Sequence, residues 1–213
     1  MQTAELIDQL ASEAAESRPR LALVRFSAVI LAGCAASFIV MLAWLGIRPD
    51  LIAALFTTGY WIKFFYTLAL AMLLFWLAER LARPAAAAAR PARMLLIPLI
   101  TIAAFAVAQL VEAAPQARTH LMMGASARLC PWRIIALSVP ILIAAIVGMR
   151  RLAPTRPVAA GLAAGLLAGA AGAWIYAFHC DEGAAPFIAI WYTLGIAAVG
   201  ALGCLSGKWM LRW

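Results

Sequence analysis

Charged residues are scarce in this sequence, since Asp, Glu, Lys and Arg together make up 12% of its 213 residues. A soluble globular domain carries about 25% charged residues. Hydrophobic residues instead reach 66%, and the mean hydropathy is +0.95. The shortage of charge excludes an ordinary soluble domain and indicates a protein that lies mostly within a lipid bilayer.

Motifs that carry enzyme chemistry are also missing. The sequence has no CxxC pair, no HExxH metal motif, no phosphate-binding glycine loop and no nucleophile elbow. Its apolar runs lack the Asp, Glu, His and Arg residues that usually mark a proton relay or an ion path through a membrane. We therefore predict a protein that is not an enzyme and that needs no cofactor.

Six long apolar runs are present, and each can cross a bilayer as a helix of about 20 residues. The predicted fold is all-α, a polytopic membrane protein whose transmembrane domain, residues 23–213, is a bundle of six helices. The predicted spans are approximately 24–47, 60–79, 94–113, 132–150, 157–179 and 187–207. Residues 1–22 form a separate N-terminal segment. Lys63 and Glu79 are interpreted as residues at the ends of the second span that extend their charges to the membrane surface.

The distribution of positive charge predicts the orientation. Six spans place both termini on one side, and twelve of the 17 Lys and Arg residues fall on that side. The other side holds Arg48, Lys63, Arg118, Arg128 and Arg133. By the positive-inside rule both termini are cytoplasmic, which in a bacterium describes a multi-pass protein of the inner membrane. Because topology accounts for the net charge of +8, membrane lipid is an expected partner and direct binding to nucleic acid is not predicted.

Three glycines recur every four residues on one face of the fifth predicted helix, at Gly161, Gly165 and Gly169. Small residues at this spacing let two helix backbones approach closely. The row is interpreted as a helix-packing surface within the bundle, with the seam of a homodimer as the alternative.

The four cysteines divide by depth. Cys34 and Cys204 lie inside the first and sixth predicted helices, where a free cysteine acts as a small hydrophobic residue. Cys130 precedes the fourth helix and Cys180 follows the fifth, so both fall on the outer side of one helical hairpin. Their distances from the hairpin turn differ by about three residues, or 4–5 Å of helix rise, which loops can absorb. The pair could be a static disulfide, two thiols that respond to oxidants or thiophilic metals, or unpaired thiols.

Two histidines also fall on the outer side, His179 next to Cys180 and His120 in another loop. Two cysteines and two histidines could form a tetrahedral zinc site. Because the spacing of these four residues matches no strong metal motif, the zinc site is a secondary hypothesis.

The N-terminal segment has an amphipathic pattern. Leu6, Ile7, Leu10 and Ala14 form a narrow apolar stripe, and Glu5, Asp8, Glu13 and Glu16 make the segment acidic up to Arg18. Pro19 is expected to end this helix. A helix this short cannot bury its stripe alone, so it is either a solvated or interfacial leader or a segment that docks in the groove of a partner. Its acidity disfavours an anionic membrane surface and favours a basic partner.

Several stretches of the sequence resemble the NrsF family, six-helix membrane anti-sigma factors named as negative regulators of sigma F. The similar stretches are residues 6–10 with Pro19, Cys130, and residues 149–154, 160–169, 176–180, 191–192 and 211–213. The resemblance spans the chain and is strongest after Cys130. The second and third helices resemble the family mainly in hydropathy, although Lys63 is also similar.

This resemblance implies a function in transcription regulation. A protein of this kind binds an extracytoplasmic-function (ECF) sigma factor through its cytoplasmic N-terminus and keeps it from RNA polymerase until stress is sensed. It implies that Leu6, Ile7, Asp8 and Leu10 bind the sigma factor. It also implies that Cys130 and Cys180 sense heavy metal or oxidant. The alternative classes are a small membrane transporter or channel, which needs a polar path, and a membrane thiol–disulfide protein, which needs a catalytic cysteine pair.

Overall fold

The computed structural model describes residues 19–83 and 88–212, and most of these residues are helical. Six helices in this part of the chain are long and apolar enough to cross a membrane. They are α1 (Pro19–Trp44), α2 (Thr58–Ala82), α3 (Ala89–Glu112), α4 (Cys130–Arg150), α5 (Pro157–Tyr176) and α6 (Ala185–Met210). The prediction of an all-α protein with six membrane spans is confirmed.

Shorter elements complete the chain between these spans. One-turn helix Leu51–Ala54 follows α1, and helix Pro115–Met123 follows α3. A change of backbone geometry at Leu95 divides α3 into Ala89–Met94 and Leu96–Glu112. The π-helical turn Ile188–Tyr192 lies near the start of α6.

The ends of the helices differ from the predicted spans by a few residues. Within the described residues α1 begins at Pro19, the residue that is predicted to end the helix of the N-terminal segment 1–22. Proline suits this position because its fixed φ matches a helix and its missing N–H is not needed in the first turn. α5 ends at Tyr176 instead of near residue 179, because the backbone N–H groups of His179 and Cys180 both donate to the Tyr176 carbonyl, each at 3.0 Å. These two bonds turn the chain into the loop that carries Cys180.

Helix α5 forms the centre of the bundle. It packs against α2, α4 and α6, and it also touches α1. In the most apolar 18-residue stretch of α5, 72% of the residues are buried, whereas in the corresponding stretch of α3 only 17% are buried. Helix α3 lies at the edge of the bundle, beside α2 and the start of α6. A central α5 can therefore transmit a displacement at one end of the bundle to several neighbours.

The glycine row on α5 lies directly against the backbone of α6. A Cβ added at Gly161 would overlap the carbonyl oxygen of Gly203, and one added at Gly165 would approach the Gly203 Cα to 2.9 Å. One added at Gly169 would lie 2.9 Å from the Ile196 Cα. These helices are in backbone contact because neither has side chains between them.

Successive helices run in opposite directions, so the loops between them lie at two opposite ends of the bundle. The terminal end is the one at which α1 begins and α6 ends, and it includes the turn of residues 151–156 between α4 and α5. The cysteine end contains Cys130 at the start of α4 and Cys180 after α5.

Candidate functional site

The cysteine end is built around the loop of residues 177–184 that links α5 to α6. The segment after α1, the first turns of α2 and the start of α4 surround this loop. The backbone N–H of Arg48 donates to the Phe178 carbonyl at 3.1 Å, which ties the segment after α1 to the loop. Several parts of the chain thus converge on a few loop residues.

Both cysteines of the candidate site are free thiols, and so are Cys34 and Cys204. Cys130 is 0% exposed and Cys180 2% exposed, so neither lies on an open surface. The two thiols lie near each other and near the side chains of Lys63 and Tyr192. The structure thus gathers the two predicted residues into one buried neighbourhood.

Lys63 makes the central polar contacts of this end. Its ammonium group donates to the carbonyl oxygen of Cys180 at 2.6 Å and to that of Glu182 at 2.9 Å, and the side chain is 0% exposed. In the described part of the chain, no carboxylate oxygen lies within salt-bridge distance of this ammonium. The interpretation of Lys63 as a residue that reaches the membrane surface is wrong, because its charge turns inward and is solvated by the loop backbone.

Arg48 supports the same loop from the segment after α1. Its Nη1 donates to the Cys180 carbonyl at 3.2 Å, and its Nη2 pairs with Asp50 at 2.6 Å. The hydrogen bond from Arg48 lowers the pKa of the Asp50 carboxyl, and the bond to Asp50 in turn raises the pKa of Arg48. The Cys180 carbonyl therefore accepts hydrogen bonds from two cations.

His179 is occupied by protein groups on both ring nitrogens. Its Nδ1 lies 3.0 Å from the Gly46 carbonyl, and its Nε2 lies 3.2 Å from Nη1 of Arg133. His120 is exposed on the helix Pro115–Met123. In residues 19–83 and 88–212 no group of three or more His, Cys, Asp or Glu is placed to hold a metal ion. The four-residue zinc site is therefore not formed, because both histidines lie elsewhere or have other partners.

Glu182 links the loop of residues 177–184 to the turn that precedes α4. Its carboxylate accepts a hydrogen bond from the Ala125 backbone N–H at 2.6 Å. The preceding residue, Gly124, has a φ of +50°, and a Cβ there would approach the Glu182 carboxylate at 2.5 Å. Glycine is favoured at this position because the backbone has a positive φ. The turn before α4, which leads to Cys130, is thereby fixed to the loop that carries Cys180.

Sequence reasoning identified the two cysteines but missed Lys63, Arg48 and Glu182 as the residues that hold them. A charged residue within an apolar span is the available signal, because such a residue is costly there and is usually functional. The predicted sigma-factor-binding residues Leu6, Ile7, Asp8 and Leu10 lie outside the described residues.

Buried polar side chains give no continuous path through the described bundle. Besides Lys63 and the buried tyrosines, the buried polar side chains are Ser37, Thr67 and Ser138. Their hydroxyl groups donate to the carbonyls of Leu137, Lys63 and Ile134, respectively. The architecture is that of a multi-pass membrane protein with a buried thiol pair at one end, and it offers no support for a transport pathway.

Comparison with known proteins identifies the family. The family model described as NrsF, negative regulator of sigma F, matches residues 10–213. The chain belongs to the NrsF family of anti-sigma-F factors, which are regulatory proteins and not enzymes.

Two relatives align with the whole chain. The probable anti-sigma-F factor NrsF of Azospira oryzae is 41% identical over 213 residues, and the anti-sigma-F factor NrsF of Caulobacter vibrioides is 37% identical over 217 residues. In both cases the alignment covers 100% of this chain and 100% of the relative. No solved structure is similar.

The contacts of Lys63 predict that it keeps Cys180 buried. In Lys63→Met, the carbonyls of Cys180 and Glu182 lose a charged donor, and each such bond contributes about 1.5–3 kcal/mol. Cys180 should then react with N-ethylmaleimide roughly tenfold faster or more, because the loop opens more often. Mass spectrometry of the purified, reduced protein measures this rate for each cysteine separately.

Lys208→Met is the matched control, since Lys208 is exposed in the last turn of α6 at the terminal end. Lys63→Arg should show an intermediate rate because it retains the positive charge. Equal Cys180 labelling in Lys63→Met and wild type would show that Lys63 does not hold this loop.

Proposed function

We propose that this protein sequesters an ECF sigma factor through its cytoplasmic residues 1–22 and releases it when Cys130 and Cys180 respond to metal or oxidant. The observation that carries the proposal is the full-length similarity to two proteins named as anti-sigma-F factors. An anti-sigma factor needs a surface that a sigma factor can reach from the cytoplasm. The acidic, amphipathic N-terminal segment, with Leu6, Ile7, Asp8 and Leu10, has the composition of such a surface.

The distribution of charge supports a cytoplasmic terminal end. Twelve of the 17 Lys and Arg residues belong to this end by chain order, and positive residues are enriched in cytoplasmic loops. With this orientation the cysteine end faces the periplasm of a bacterial inner membrane. Cys130 and Cys180 are buried at that end, so they can be oxidised there when the loop opens, because the compartment favours disulfides.

Two free thiols in one buried neighbourhood support the sensing step. Oxidants and soft metal ions both react with thiols as thiolates. Either reaction would change the charge and packing beside Cys180, whose carbonyl is bound by Lys63 and Arg48. Oxidation or metal binding at the thiols would therefore displace this loop and, with it, the ends of α2 and α5.

Helices α2 and α5 connect this loop with the terminal end. Lys63 belongs to α2, Cys180 follows α5, and the two helices pack along their length. A signal requires two arrangements of the bundle that differ in affinity for the sigma factor. A 20-fold change in affinity corresponds to about 1.8 kcal/mol of coupling, which is within the usual range for allosteric proteins.

The N-terminal assignment predicts that Leu6→Asp or Leu10→Asp releases the sigma factor while the protein still inserts into the membrane. A charge placed against an apolar groove costs several kcal/mol, enough to abolish a micromolar complex of about −8 kcal/mol. Co-purification of the detergent-solubilised protein with its sigma factor measures the effect. Gln9→Asp is the control, because it adds the same charge beside the stripe. Full recovery of the sigma factor with both leucine variants would rule out this binding role.

The sensor assignment predicts that Cys130→Ser/Cys180→Ser blunts induction of sigma-dependent transcription by cadmium or by a thiol oxidant. A reporter gene in the native host measures induction, and membrane immunoblots check that the protein is present. Cys34→Ser/Cys204→Ser is the matched control, since these half-buried thiols lie within α1 and α6. Normal induction in the Cys130/Cys180 variant would exclude a sensing role for the pair.

A further inference from the structure

A groove with a basic rim opens at the terminal end between α2, α3 and α5. Its volume is about 620 Å³. Its walls include four leucines and its rim includes three arginines, namely Leu77, Leu81, Leu162, Leu166, Arg80, Arg83 and Arg156. We propose that this groove binds the acidic, amphipathic N-terminal segment of the same chain when no sigma factor holds that segment.

The lining of the groove matches the two faces of the segment. Leu162 is 40% exposed in the groove, so apolar surface is left open for a second apolar stripe. The segment offers such a stripe in Leu6, Ile7 and Leu10. Covering exposed leucine side chains with these residues is favourable at about 25 cal/mol per Å² of apolar area.

Charge on the rim is complementary to the segment. Arg156 is exposed, and the Arg80 side chain is 43% exposed with its Nε 3.8 Å from the Glu79 carboxylate, which also pairs with Arg83 at 2.5 Å. Arg90 and Arg93 are exposed on the adjoining first turns of α3. The segment carries Glu5, Asp8, Glu13 and Glu16. This part of the chain would thus attract the acidic segment, whereas an anionic membrane surface would repel it.

The position of α1 brings the segment within reach. The rings of Phe26 in α1 and Phe75 in α2 stack with centroids 5.6 Å apart. From this pair, Pro19 and Leu81 each lie about 9–10 Å further toward the terminal end, so the segment leaves the bundle at the level of the groove. Residues 6–10 precede Pro19 by nine to thirteen positions, which span roughly 14–20 Å as a helix and more when extended.

Docking of a tethered segment would compete with the sigma factor. A short tether gives an effective concentration in the millimolar range, so even weak docking lowers the fraction of segment that is free to bind. This regulatory consequence rests on the proposed function, whereas docking itself does not. Helices α2 and α5 line the groove, and Lys63 of α2 binds the loop that follows α5 and carries Cys180, so the groove is linked to the thiols through these two helices.

Photo-crosslinking of the full chain tests the docking without a sigma factor. Benzoylphenylalanine replaces Leu162 in the groove, and the matched control carries it at Leu205. That residue is 62% exposed on α6 and lies at a similar distance from the terminal end. Mass spectrometry of the purified protein in nanodiscs should find intramolecular crosslinks from position 162, but not from position 205, to residues 1–18.

The charge of the rim is tested with two arginine variants. Arg80→Glu/Arg156→Glu should lower the yield of the crosslinks from position 162 roughly tenfold, since two ion pairs would become repulsive. Arg80→Gln/Arg156→Gln should give a smaller loss.

Crosslinks from position 162 only to lipid, or equal yields from the two positions, would overturn the proposal. Adding purified sigma factor tests separately whether the segment docks in the groove and whether the same segment binds the sigma factor. If the intramolecular crosslinks disappear as sigma factor binds, the competition is supported. If they persist beside bound sigma factor, docking stands while the N-terminal binding role in the proposed function fails. Crosslinks from position 162 to the sigma factor itself, with none to residues 1–18, would assign the groove to the partner and overturn self-docking.

Discussion

The buried ammonium group of Lys63 is the constraint on which the cysteine end depends. A lysine within a membrane span is costly unless its charge finds partners, and here the partners are the carbonyl oxygens of Cys180 and Glu182. These carbonyls are available only because the chain turns sharply after Tyr176. The turn places Cys180 next to α2, and the Glu182 carboxylate then binds the backbone before α4. Removing the lysine would leave the Glu182 carbonyl without a charged donor and the Cys180 carbonyl with Arg48 alone, and the positions of both cysteines depend on this arrangement.

The proposed coupling between the two ends depends on the position of α5. This helix is in backbone contact with α6 through its glycines and packs against α2 and α4. Because a tightly packed interface of this kind does not deform gradually, a displacement of α5 would have to move its neighbours toward a second packed arrangement. The thiols lie where α5 leaves the bundle at one end, and the proposed groove for the N-terminal segment lies where α5 enters it at the other. The proposed function and the docking of the segment therefore depend on the same pair of helices, α2 and α5.

Hydropathy was sufficient to predict the number of spans, since each apolar run must satisfy its backbone hydrogen bonds as a helix. The glycine spacing indicated a packing surface on α5, but not that α6 lies against it, because spacing does not identify a partner. Cys130 and Cys180 could be brought together by counting residues from the hairpin turn. The inward direction of the Lys63 side chain could not be predicted. Its partners are backbone carbonyl oxygens, which every residue has, so no residue type in the sequence indicates them. For the same reason the histidines suggested a zinc site that the structure does not form, since Gly46 and Arg133 bind His179 instead.

The central claim is that the chemical state of the thiols at one end sets the affinity for a sigma factor at the other. The most direct measurement is the Kd of the purified, nanodisc-embedded protein for its sigma factor, determined by fluorescence anisotropy with the thiols reduced and again after addition of Cd²⁺. The account predicts that Kd rises about tenfold or more, equivalent to about 1.4 kcal/mol, and that Cys130→Ser/Cys180→Ser shows no such rise. An unchanged Kd in the wild-type protein, with the metal bound at the two cysteines, would contradict it.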